Sequence, residues 1–118
     1  MEPRLVLKTL RKFAKRELKE KKARHVYVRQ VKMKSLMRRG RLPDLRIRIL
    51  KGTHYLVCVF YDDSMRVYYI DWRGVSLGAN EFEGDEKRKM WNDISRKTKT
   101  VFHLSATPSV VDPSATSS

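Results

Sequence analysis

Cysteine and acidic residues are both scarce in this chain, and each scarcity removes a class of explanation. Cys58 is the only cysteine in 118 residues, so there is no intramolecular disulfide and no cysteine-based zinc cluster. That usage fits a reducing compartment, the cytoplasm or nucleus, in a cell or in the host of a virus or phage. No apolar run approaches the roughly 18–20 residues that span a bilayer, so no membrane partner is expected. The opening MEPRLVLKTLRKF breaks its apolar residues with charges throughout, which argues against a secretory leader. A glycine-rich phosphate loop and a metal-spaced histidine pair are also missing, so the expected cofactor and metal content is none.

Acids number 13 against 27 Lys and Arg, and the imbalance is not evenly spread. Residues 1–51 hold 19 Lys and Arg against 4 Asp and Glu, a net of +15, whereas residues 52–118 hold 8 against 9, a net of −1. Charge concentrated in one half of a small chain implies a basic face and a polyanionic partner. The hydrophobic fraction of 41% is enough for one modest core. The expectation is therefore a basic domain over residues 1–104, followed by a disordered Ser/Thr/Pro tail over residues 105–118.

Residues 4–22 repeat apolar side chains at helical spacing. Leu7, Leu10, Ala14 and Leu18, flanked by Val6 and Phe13, form one stripe, and Pro3 suits the first turn. Lys8, Arg11, Lys12, Lys15, Lys19 and Lys22 follow the same spacing on the other side. HVYVRQVKM (residues 25–33) reads as a strand carrying Arg29 and Lys32. A loop follows in which Arg38, Arg39 and Arg41 surround Gly40, closed by Pro43. LRIRIL (residues 45–50) alternates strictly, Leu45, Ile47 and Ile49 against Arg46 and Arg48, which predicts a sheet with one apolar face and one face of guanidinium groups.

HYLVCVFY (residues 54–61) is continuously apolar, the pattern of a central strand, and a turn at Asp62-Asp63-Ser64 leads to its hairpin partner MRVYYIDW (residues 65–72). Along that partner Arg66, Tyr68, Ile70 and Trp72 share a face. Residues 73–84 hold three of the five glycines and read as irregular, with Asn80 and Glu83 spaced to cap a short helix. A helix over residues 85–97 uses Met90, Trp91 and Ile94, and TKTVFHL (residues 98–104) suits a last short strand. The fold class is α+β: a single small domain with an antiparallel sheet of about four strands, packed by an N-terminal and a C-terminal helix. An α-β-β-β-α order is similar to that of several small RNA-binding modules, but in topology only. The glycine-plus-lysine signature that opens the second helix of double-stranded-RNA-binding domains is missing from GDEKRKM, residues 84–90.

The partner these features favour is nucleic acid, RNA before DNA, contacted mainly at the phosphates. Lys8, Lys12, Lys15, Lys19, Arg29, Arg38, Arg39, Arg41, Arg46 and Arg48 are the expected neutralising residues, and Tyr68 and Trp72 the expected stacking residues. Two alternatives stand beside this reading. One is a small metal-independent nuclease drawing on His25, His54 and His103, which fall at unrelated points of the sequence and show no catalytic spacing. The other is a module docking on an acidic protein. A homo-oligomer, or a place within a ribonucleoprotein, is compatible with all three.

Overall fold

Burial of alternate side chains on both sides of one strand organises the molecule. The computed structural model describes residues 2–31 and 52–106. Its elements in chain order are α1 (Pro3–Glu20), β1 (His25–Val31), β2 (Tyr55–Phe60), β3 (Ser64–Ile70), β4 (Ser76–Glu83), α2 (Gly84–Lys97) and β5 (Thr98–Ser105). The strands form one antiparallel sheet in the order β4-β3-β2-β1-β5, so β2 is central. Tyr55, Val57 and Val59 of β2 join the cluster beneath α1, while Leu56 and Cys58 join the cluster beneath α2. Both faces of β2 are thus covered, which is why its sequence is apolar without alternation.

Helix α1 lays Val6, Leu10 and Ala14 on Val26, Val28, Val57, Val59 and Ile70. Glu17 continues the buried stripe and accepts a 2.7 Å hydrogen bond from the Tyr61 hydroxyl. Burial and that carboxylate together push the Tyr61 phenol well above its ordinary range. The helix ends at Glu20, and past its cap Lys21 the chain turns at Lys22, whose φ of 58° is left-handed, so that the Ala23 amide reaches back to the Glu17 carbonyl. On the other face of the sheet, Met90 and Ile94 of α2 pack on Val31, Leu56, Cys58, Met65, Val67 and Tyr69. Burial drives the Cys58 thiol up to about 12, so it is an inert core group.

One expectation is corrected. The sheet has five strands among the described residues, because the stretch expected to be irregular is strand β4. Its side chains are mostly exposed, and its order comes from main-chain pairing with β3, from Ser64↔Glu83 to Ile70↔Ser76. The short last strand expected at residues 98–104 is β5, which returns across the sheet to pair with β1. The two helices cover opposite faces of the described sheet, and the guanidinium face expected from Arg46 and Arg48 rests on residues outside it. The Arg38–Arg41 loop, the strand expected at residues 45–50 and nearly all of the expected tail lie outside the described residues.

Candidate nucleic-acid interface

The buried stripe of α1 dictates where its lysines go. At 100° per residue, Lys8, Lys12, Lys15 and Lys19 fall within an arc of about 60° centred opposite Val6, Leu10 and Ala14. All four are exposed. They span about 16 Å along the helix axis, a length that covers several phosphates of an extended strand. Arg4, Arg11 and Arg16 flank the row and are also exposed, and the Arg11 guanidinium lies 4.3 Å from the Phe102 ring centroid. Among the described residues the ion pairs are Arg24–Asp62, Arg66–Glu81, Arg73–Asp71, Arg88–Asp85 and Arg96–Asp93, none of them on α1. The charge of α1 therefore faces outward with no ion-pair partner among the described residues. Beside the row, Lys15, Leu18 and Lys19 line a shallow groove with Leu104, Ser105 and Ala106 at the end of β5.

Arg29 does not belong to this surface. It is 7% exposed, and its donors are engaged internally. Nε donates to the Thr98 hydroxyl at 2.8 Å, Nη1 to the Thr100 hydroxyl, and Nη2 to the carbonyls of Ser95 at 3.0 Å and Thr98 at 2.9 Å. The guanidinium thus fastens the C-terminal end of α2 and the start of β5 to β1, where helix carbonyls favour a cation. Desolvation lowers its pKa, yet an arginine stays charged at any ordinary pH. With four of its five N–H donors used internally and its side chain buried, Arg29 has a structural role in place of the expected phosphate contact.

Tyr68 is likewise drawn inward. It meets Phe13 of α1 edge to face at 5.1 Å, and Arg66 Nη1 donates to its hydroxyl at 3.3 Å. Its ring is part of the seam between α1 and β3, not an open stacking surface. Trp72 sits in the β3–β4 turn, 54% exposed, with the Arg73 guanidinium 5.9 Å from its ring. Its ring is open to a ligand. The turn that carries it is held by Asp71, whose carboxylate accepts from the amides of Arg73 and Val75 at 2.9 Å each and from the Arg73 guanidinium. The Val75 amide is the main cause that holds this carboxyl below its ordinary range.

The topology also assembles residues that sequence spacing left apart. Tyr27 of β1 pairs directly with His103 of β5, which brings His25 Nδ1 within 3.1 Å of His103 Nε2. Phe60 and Trp91 complete this ring cluster on the α2 side of the sheet. His54 stands apart from it, 3.4 Å from the Gln30 amide nitrogen. His25 and Tyr27 share a face by strand alternation, a signal present in the sequence. The β1–β5 register that adds His103 has no local signature.

Among the described residues no group of three or more His, Cys, Asp or Glu side chains is placed to hold a metal ion, and no helix is long and apolar enough to cross a membrane. No protein-family model matches the chain, and neither a curated protein nor a solved structure does.

Proposed function

We propose that this chain binds nucleic acid, RNA before DNA, mainly through the phosphate backbone, with the outer face of α1 as the contact surface. The observation that carries the reading is the row Lys8, Lys12, Lys15 and Lys19, exposed and without ion-pair partners among the described residues. A row of this kind attracts a phosphate chain and releases its counterions on contact. Arg38, Arg39, Arg41, Arg46 and Arg48 belong to the same basic half of the sequence and extend the proposal beyond the described residues.

The test is a salt-titrated binding assay with single-stranded RNA, duplex RNA and duplex DNA. Affinity should fall steeply with salt, with a log–log slope equivalent to several phosphates, and K12E/K15E should weaken all three complexes and flatten that slope. An unchanged slope in K12E/K15E would remove α1 from the interface. Absence of binding to every probe at low salt would overturn the reading in favour of an acidic protein partner.

The nuclease alternative gains a histidine pair from the fold, but the geometry favours it poorly. At 3.1 Å the two imidazoles share a proton between themselves, and no phosphate fits between them as it would between an acid and a base on opposite sides of a scissile bond.

A further inference from the structure

A column of rings runs from the interior of the α2 side out to the edge of the sheet. The Arg29 guanidinium carbon lies 5.5 Å from the Trp91 ring centroid, and the Trp91 and Tyr27 centroids are 4.6 Å apart. Tyr27 and His103 then stack at 4.1 Å with their planes only 8° apart. Here the column ends. β5 is the outermost strand on this side and His103 is exposed, so the ring face turned away from Tyr27 lies at the open edge. Among the described residues His103 has ring contacts only with Tyr27 and His25.

His25 widens that terminal face. Its Nδ1 meets His103 Nε2 at 3.1 Å, with centroids 5.2 Å apart and planes inclined by 31°. Two imidazoles joined edge to edge form a shallow plate broader than either ring, close to the width of a nucleobase. The plate is held in place: both residues stand in the β1–β5 ladder, and Phe60 meets the edges of His25 and Tyr27.

We propose that the His25–His103 plate, backed by Tyr27, is a stacking site for an unpaired nucleobase of a single-stranded nucleic acid. This rests on the binding function proposed above and adds the state of the strand. A base inside a duplex has both faces covered by its neighbours, whereas an unstacked base offers a free face to an aromatic surface. Alternation along β5 places His103 on the α2 side of the sheet. The next residues, Leu104 and Ser105, line the groove shared with Lys15 and Lys19. A strand crossing the sheet edge at this end of β5 meets phosphate-binding lysines on one side and the imidazole plate on the other. Desolvation, and secondarily the neighbouring His25, lowers the His103 pKa, which keeps its ring neutral and suited to stacking at physiological pH.

The experiment compares, for the full chain, a labelled single-stranded oligonucleotide with an abasic phosphodiester strand of equal length. The base-bearing strand should bind roughly tenfold more tightly. H103A should abolish that difference while leaving the abasic affinity and its salt slope unchanged, and H54A should retain it. In a W72F background, Trp91 fluorescence should respond to the base-bearing strand and not to the abasic one. Equal affinity of the wild-type chain for the two strands would overturn the stacking site, as would a folded H103A that keeps the preference. The wild-type comparison decides the matter even if H103A fails to fold. If neither strand binds at low salt, the binding function itself fails, an outcome distinct from binding without base preference.

Discussion

His25 Nδ1 and His103 Nε2 lie 3.1 Å apart although 78 positions separate them in the chain. One nitrogen must donate and the other accept, so the contact exists only while at least one of the two rings carries a free lone pair. Double protonation would place two cations in contact on adjacent strands. The folded pKa of His103 is lowered from 6.5, first by desolvation and then by His25. Below its unfolded value the unfolded chain therefore binds more protons than the native one, and stability falls as pH drops from about 6.5 through the folded pKa. Thermal melts across that range should show a decline in the wild type that is smaller in H103N. Parallel profiles for the two proteins would dissociate the pair from the pH dependence.

Arg29 predicts a loss of a different kind. R29M removes four hydrogen bonds and leaves the Thr98 and Thr100 hydroxyls and two carbonyls near the end of α2 without that partner. The cost should be about 2–4 kcal/mol in urea unfolding. R29K should recover only part of it, because an ammonium cannot reach the set of acceptors that a planar fork spans. Nucleic-acid affinity per folded molecule, and its salt slope, should stay near wild type. A weakened slope in a folded R29K protein would return Arg29 to the interface.

Lys22 and Gly74 both have positive φ, 58° and 92°, and should respond oppositely to exchange. K22G relieves a left-handed lysine and should raise stability by roughly 0.5–1 kcal/mol. G74A forces a side chain into that region, and its Cβ would sit 3.3 Å from Val6 Cγ1, so it should cost about 1–2 kcal/mol. Chemical denaturation of the two variants checks both signs.

Asp71 governs the acid limit of the β3–β4 turn. Its folded pKa is depressed, chiefly by the Val75 amide, so its contribution is present above the unfolded value near 3.9 and is lost as pH falls through the folded one. Melting temperature below about pH 4 should therefore drop less in D71N than in the wild type, and D71N should be the less stable protein at neutral pH. Trp72 fluorescence reports the same turn. A wild-type acid profile indistinguishable from that of D71N would locate the acid sensitivity elsewhere.

The elements legible in the sequence are those whose side chains record their surroundings. α1 carries a helical stripe, and β2 is apolar throughout because both of its faces are buried. β4 was not legible, since Leu77, Ala79, Asn80, Glu81 and Glu83 are exposed and the strand is specified by hydrogen bonds that every residue type can make. The lysines of α1 were readable as one exposed row because helix geometry alone fixes them relative to the buried stripe. Arg29 was not, because an arginine in a strand signals a surface position unless its partners are known, and Thr98 and Ser95 lie more than sixty residues away. Tyr68 shows the same limit: strand alternation fixes its face alongside Arg66 and Ile70, but nothing local tells that α1 covers that face.

The return of β5 to β1 has a kinetic consequence. β2, β3 and β4 form a meander closed by short turns, so that part of the sheet assembles from neighbouring segments. β1 can then add to β2, but its other edge waits for residues 98–105, the last strand described. Closing a loop of that length carries an entropic cost before any contact offsets it, and it lengthens the search through which the chain folds. During synthesis β1 must therefore remain with one unsatisfied edge until β5 has left the ribosome, and this interval is when the chain is most open to mispairing with another copy.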